Sequence, residues 1–191
     1  MRLKSAKRQF DLALAFFVIV LLALPIVLVA ILIKLTSRDS VLYWSDRIGC
    51  QNRIFKMPKF RSMRTDTPEV ATHLLENPGQ YLTPIGSFLR KSSLDELPQI
   101  WSIINGDMSF VGPRPALFNQ DELIALRTKE GVHELLPGLT GWAQVNGRNE
   151  LLIPNKVKLD AEYLQKRSFG FDLWVLWLTL LKVLRRDNIS H

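Results

Sequence analysis

The sequence predicts a mainly α-helical, membrane-associated fold carrying one small β-hairpin. Three observations lead there. Residues 12–33 are 22 consecutive apolar residues, counting Pro25. Residues 171–186 form a second apolar stretch, with Trp174 and Trp177 among aliphatics and Lys182, Arg185 and Arg186 at its end. Between them, two short runs rich in β-forming residues (41–44 and 53–57) flank a longish loop, and the apolar residues that follow recur mostly at helical spacing.

A chain of 191 residues, 47% of them hydrophobic, suits one domain with membrane-directed ends. The net charge of +7 calls for an anionic partner. Its basic residues flank hydrophobic segments and form no uninterrupted block, which favours a membrane surface or a phosphorylated substrate over nucleic acid. No nucleic-acid-binding module is recognisable, and no nucleic-acid partner is expected. A single cysteine, Cys50, excludes an internal disulfide and a zinc set. His73, His133 and His191 are too scattered to suggest a histidine metal site.

At about 1.5 Å per residue, the first apolar run reaches ~33 Å, enough to cross a hydrocarbon core. It is too long for a signal peptide, and residues 31–34 offer no small-residue cleavage site. Arg2, Lys4, Lys7 and Arg8 precede it; Lys34, Arg38, Arg47 and Arg53 follow. The positive-inside rule therefore ties. A spanning helix kinked at Pro25 and a helix that dips in and returns both fit the residues, the span being the simpler.

The 41–44 and 53–57 runs, separated by residues 46–52, read as a β-hairpin. Lys56, Lys59, Arg61 and Arg64 cluster around Pro58: a solvated basic face, or a site for diphosphate or anionic headgroups. Residues 65–83 carry Pro68, Pro78 and Gly79 around a short helical stretch at 69–76, with no chemistry apparent. Residues 84–91 then lead to the densest part of the sequence.

Residues 92–115 place two adjacent carboxylates, Asp95 and Glu96, just before Pro98 and an apolar pattern (Leu97, Ile100, Trp101, Ile104). Ser93 with Glu96 fits a capping box, and Pro98 belongs in a first helical turn. Both carboxylates would then face unpaired N–H groups and the helix dipole, which keeps them ionised. Such a pair alone is most often a cap. Gly106 ends the pattern. Arg114 follows between Pro113 and Pro115, a fork held ready for carboxylate or phosphate. Residues 119–130 read as an amphipathic helix. The turn-rich 137–148 run has glycines that let backbone approach a ligand. Residues 157–167 read as a charged helix with Asp160 and Glu162 in solvent.

In the tail, Asp172, Thr179, Lys182 and Arg186 share one narrow helical stripe. Tryptophan with terminal Lys/Arg suits a helix lying in the membrane interface, a greasy core helix being the alternative.

Taken together, Lys59-Phe60-Arg61-Ser62-Met63, Ser93-Leu94-Asp95-Glu96-Leu97-Pro98-Gln99, the 106–115 run and Pro137-Gly138-Leu139-Thr140-Gly141-Trp142-Ala143-Gln144-Val145-Asn146-Gly147-Arg148 resemble the bacterial sugar transferase family, the small monotopic phosphoglycosyl transferases. The resemblance covers nearly the whole chain. It implies a monotopic membrane protein whose N-terminal helix is re-entrant, bending at Pro25, although Leu24 stands where family members have serine. The organisation implied is a membrane segment at 1–36, a cytoplasmic catalytic domain at 37–168, and an interfacial helix at 169–191 belonging to the same catalytic unit. The implied reaction moves sugar-1-phosphate from a UDP-sugar to polyprenyl (undecaprenyl) phosphate at the bacterial inner membrane, releasing UMP and initiating glycoconjugate assembly. Within it, Asp95 is expected as nucleophile and Glu96 as ligand of Mg²⁺. Lys59, Arg61, Arg90, Arg114 and Arg148 are expected to bind substrate; Pro25, Trp174 and Trp177 would engage inner-membrane lipids. Asp107 is left as either a carboxylate behind the metal ligand or a loop anchor.

Overall fold

The computed structural model describes residues 2–37, 39–68, 70, 75, 77–147 and 151–185. Helix α1 runs Arg2–Thr36 with Pro25 inside it. The hairpin follows, β1 (Leu42–Ile48) pairing antiparallel with β2 (Ile54–Phe60). Both strands are longer than the sequence pattern suggests, because β2 continues through Pro58. A two-stranded sheet has only edges, where a missing N–H is tolerated. Helix α2 (Gly86–Lys91), a 3₁₀ segment (Leu94–Gln99) and α3 (Ile100–Asn105) form the next unit.

Strand β3 (Ser109–Val111) leads to α4 (Asp121–Lys129), and β4 (Gly138–Thr140) pairs parallel with β3. This second pair is absent from the sequence reading: three-residue strands carry too little pattern to register. It brings backbones very close; a Cβ at Gly138 would lie 2.1 Å from Gly112 N, so only glycine fits. Helices α5 (Trp142–Asn146), α6 (Ile153–Lys166) and α7 (Phe169–Arg185) complete the chain.

The main core gathers Ala15 of α1, Met57 of β2, Ile100 and Ile103 of α3, Phe110 and Val111 of β3, Val145, Tyr163 and Val175. A second cluster joins Val29 and Ile33, near the other end of α1, to Phe60 and Leu89. Each such side chain contributes about 1.5–3 kcal/mol by leaving water. Both halves of α1 therefore pack against the same body. They do so along one face, on which Val18, Ile19 and Ile26 also pack; on the other face Phe16, Phe17, Val20, Leu21, Leu24 and Val27 are all more than half exposed. Residues Ala6–Thr36 are long and apolar enough to cross a membrane, and only 11% of their most apolar window is buried, which rules out a core helix. Lys7 fixes the N-terminal end, donating to Asp172 Oδ2 (2.6 Å), Tyr163 Oη (3.0 Å) and the Val111 carbonyl (2.9 Å). Arg8 donates to the carbonyls of Ile103 and Ile104 at the end of α3.

Helix α7 turns its polar stripe inward. Asp172 accepts from Lys7 and Tyr163, and the Thr179 hydroxyl bonds that of Thr140 at 2.8 Å. The outward face is apolar, with Trp174 and Trp177 each about half exposed beside Leu173, Leu180 and Val183. Arg186 lies outside the described residues, as does most of the 69–76 stretch. Asp160 corrects another expectation. It is fully buried and accepts from Arg127 Nε at 2.9 Å and Nη2 at 2.6 Å. The charged-helix pattern reads Asp160 as solvated because its partner sits 33 residues away on α4.

Candidate functional site

Strand alternation builds one wall of the site. Cross-strand partners share a face, so the pairing Tyr43↔Lys59 puts Lys59 on the side of Tyr43, Ser45 and Arg47. Lys56 falls on the other face and pairs with Asp46 at 2.9 Å in solvent. The basic cluster of the sequence is thus divided: Lys59 turns inward and Lys56 does not.

The dyad sits opposite, in a 3₁₀ turn. Ser93 is left-handed (φ 57°) and makes no side-chain cap, so the expected capping box is absent. The reason is that Glu96 faces the other way, accepting at Oε1 from Lys59 Nζ (3.0 Å) and Arg114 Nη2 (2.6 Å). Burial alone would raise Glu96, but Arg114 and Lys59 more than offset it and hold the carboxyl well below its ordinary range. Asp95 behaves differently. Its side chain is buried, and Oδ1 has no hydrogen-bond partner among the described residues. Burial pushes it up, Lys59 and Arg90 pull it down, and Glu96 pushes it up again; the net direction is upward. Asp95 is therefore the more basic of the two, against the expectation that a helix end keeps both ionised alike.

These residues border a cleft of about 610 Å³. Among the described residues, its lining carries eight lysines and arginines against three acids, Asp46, Asp95 and Glu96. Arg90 lines it with its Nη1 donating to Met63 Sδ at 3.0 Å. Arg61 reaches it too, with its guanidinium on Ser40 and near the Tyr43 ring rather than on the dyad. Arg114 projects from the Pro113–Pro115 turn, which Arg127 Nη1 pins through the Arg114 carbonyl at 2.8 Å. Arg148 lies outside the described residues. Asp107 does not line the cleft; its N–H closes the turn after α3 onto Ser102. Pro25, Trp174 and Trp177 lie away from the cleft, on the lipophilic elements.

Among the cleft residues that sequence reasoning does not assign to the site are Arg47, Arg127, Gln144 and Lys156. Arg47 could have been found, since strand alternation puts it two positions from Ser45 on the Lys59 face. Gln144 stands in the turn-rich 137–148 run, whereas Arg127 and Lys156 come from helices whose packing alone aims them here. Among the described residues, no group of three or more His, Cys, Asp or Glu could hold a metal unaided.

A long apolar helix packed beside a cation-lined cleft suits a membrane-associated enzyme. The profile described as "Bacterial sugar transferase" matches residues 2–186, and the chain belongs to that family. It is 38% identical over 187 residues to the "Uncharacterized sugar transferase EpsL" of Bacillus subtilis (strain 168), covering 97% of this chain and 90% of that one. It is 40% identical over 193 residues to the "Undecaprenyl-phosphate glucose phosphotransferase" of Komagataeibacter xylinus, and 36% identical over 185 residues to the "UDP-glucose:undecaprenyl-phosphate glucose-1-phosphate transferase" of Escherichia coli (strain K12). Those matches cover 95% and 92% of this chain but 36% and 39% of the relatives, so the chain spans less than half the length of these two.

Proposed function

We infer that the protein transfers sugar-1-phosphate from a UDP-sugar to polyprenyl (undecaprenyl) phosphate, releasing UMP, through a covalent aspartyl phosphosugar. The observation that carries this reading is Asp95: a buried carboxylate, raised in basicity, whose Oδ1 has no hydrogen-bond partner among the described residues, on a cleft rich in cations. An Asp95 oxygen attacks the β-phosphorus. The bond from that phosphorus to the bridging oxygen breaks, and its electron pair leaves with UMP. An oxygen of the lipid phosphate then attacks the same phosphorus and the Asp95 carboxylate departs, giving polyprenyl-diphosphate-sugar. Carboxylate attack on a diphosphate meets repulsion, and the lysines and arginines of the cleft offset it.

Mg²⁺ fits this donor set in company with substrate. Adjacent hard carboxylates line the cleft, and Mg²⁺ is commonly held by one or two carboxylates completed by phosphate oxygens and water. Glu96 would hold the ion, which when bound neutralises diphosphate charge. Lys59 and Arg114 fix the Glu96 carboxylate in place.

Monotopic, re-entrant attachment to the inner membrane, with the catalytic domain on the cytoplasmic face, is the arrangement in which both substrates meet. Supporting it are the two halves of α1 packed on one body and its exposed outer face. Had α1 spanned a bilayer, one half would be drawn away from that body.

The test is exchange of labelled UMP into UDP-sugar without lipid acceptor. Covalent transfer predicts exchange in the wild type and none in Asp95→Asn. Direct ternary-complex transfer predicts no exchange but lipid-dependent UMP release, and a membrane scaffold predicts neither.

A further inference from the structure

Resting on the transfer reading above, we propose that Phe118 and Gln120 form the nucleobase site of the cleft, Phe118 stacking on the uracil ring and Gln120 donating to one of its carbonyl oxygens. Among the described residues, three aromatic side chains line the cleft: Tyr43, Phe60 and Phe118. Phe60 is buried in the cluster with Val29 and Ile33, and the Tyr43 ring lies 5.7 Å from the Arg61 guanidinium. Phe118 is 40% exposed and makes no ring or cation–π contact among the described residues. An apolar ring left in water on the wall of a cleft offers its face to a flat ligand.

One backbone turn holds both residues. The Gln120 N–H donates to the Leu117 carbonyl (3.1 Å), and the Leu117 N–H donates back to Gln120 Oε1 (3.0 Å). The second bond fixes the orientation of the amide. Its acceptor end is taken, and Nε2, a donor, has no partner among the described residues. Uracil presents two carbonyl oxygens, which accept. The turn itself is held from two sides. The Ile48 N–H on the Ala116 carbonyl (2.9 Å) and the bridge between Arg47 and Leu117 fasten it to β1. The Ile124 N–H on the Gln120 carbonyl (3.0 Å) fastens it to α4. A site so held needs little ordering when its ligand arrives.

The same stretch of chain sets the distance to the reacting end. Arg114, whose Nη2 bonds Glu96, stands four residues before Phe118, and both line the cleft. Four residues span at most about 14 Å, the scale on which a nucleoside diphosphate separates its outer phosphate from its base. With the diphosphate between Arg114 and the dyad, the ribose lies along residues 115–117 and the base reaches the turn.

The experiment compares binding of UMP and ribose 5-phosphate to the full chain in lipid nanodiscs by calorimetry. Both carry a ribose and a phosphate, so the preference for UMP isolates the base. Phe118→Ala is expected to reduce that preference about fivefold or more, and Phe118→Trp, which keeps a stacking face, to retain it. Phe118 lies outside the hydrophobic clusters of the described residues, so its truncation leaves the fold intact. Gln120→Glu keeps an acceptor for the Leu117 N–H and loses the donor. It should reduce the preference too, while its added charge acts on both phosphates alike. An unaltered preference in Phe118→Ala overturns the proposal. So does a raised KM for polyprenyl phosphate with the UMP preference intact, which assigns the ring to the lipid. Absence of UMP release from UDP-sugars by the wild type would instead sink the transfer reading, and a UMP preference lost in Phe118→Ala would still support the base site.

Discussion

Lys59 Nζ and Arg114 Nη2 donate to the same oxygen of Glu96, Oε1, at 3.0 and 2.6 Å. Glu96 is held as an anion by two elements, β2 and the Pro113–Pro115 turn, that are distant in sequence. Asp95, its neighbour, has Oδ1 unpartnered among the described residues. One carboxylate is held by two cations and the other has an oxygen without a partner, although the two share a turn.

Glu96→Gln removes the anion and leaves two cations facing each other. Lys59 is 15% exposed and Arg114 39% exposed, so solvent screens part of the effect. A loss on the order of 1–3 kcal/mol is expected in denaturant unfolding. The variant should also need a higher Mg²⁺ concentration for half-maximal UMP release. An unchanged metal requirement would remove Glu96 from the ion.

Asp95→Asn should destroy turnover and, at neutral pH, leave the protein at least as stable as the wild type. Burial raises Asp95 in the folded chain above its ordinary 3.8, so the native state binds the proton more tightly than the unfolded state. That contribution is fully present below 3.8 and disappears as pH rises through the folded value; at pH 7 the ionised side chain is a net cost. Melting curves at pH 7 and at the lowest pH the fold tolerates should show the variant's advantage only in the first. A variant less stable at pH 7 would contradict the assignment.

The acid limb of UMP release should lie above the ordinary aspartate value, because Asp95 must lose its proton to attack. Among the neighbouring charges, Lys59 lowers Asp95 most. Lys59→Met should therefore move the limb to still higher pH. A pH–rate profile limited near 3.8 in both proteins would exclude this environment.

Arg127→Met or Asp160→Asn alone should cost about 3–5 kcal/mol, by stranding a buried group without its partner. The pair Arg127→Met/Asp160→Leu should recover a good part of that. Because Arg127 also holds the Arg114 carbonyl, the double variant should regain stability while its KM for UDP-sugar stays raised. Recovery of both would mean that Arg127 has no bearing on the Pro113–Pro115 turn.

Much of this was legible in the sequence. The hairpin shows in β-forming runs, α3 in its apolar spacing and its Gly106 stop (φ 91°), and the α7 outward face in Trp174 and Trp177. What escaped depends on contacts between distant elements. Lys59 and Glu96 are 37 residues apart and Arg127 and Asp160 are 33 apart, and no local pattern encodes either. The Ser93–Glu96 capping pattern misled for the same reason: a local signal lost to two cations arriving from elsewhere. The stripe on α7 was visible as a stripe, but its direction was set by Lys7 and Thr140.

A cysteine placed before the apolar run tests the path of α1. In a Cys50→Ser background, Ser5→Cys should react with a membrane-impermeant thiol reagent from the same side as a cysteine placed at Lys129. Pro25→Ala, which restores a backbone donor inside α1, should move part of the population to opposite-side labelling. Opposite-side labelling of Ser5→Cys with Pro25 intact would replace re-entry with a span.

Helix α1 is fastened near both ends, by Lys7, Arg8 and Ala15 at one and by Val29 and Ile33 at the other. A domain hung from a single stalk would bob and tilt above the lipid headgroups. On the re-entrant reading proposed above, fastening at both ends would set the height and inclination of the domain by packing. The acceptor proposed above, confined to the headgroup plane by its polyprenyl chain, would then have only two dimensions to search.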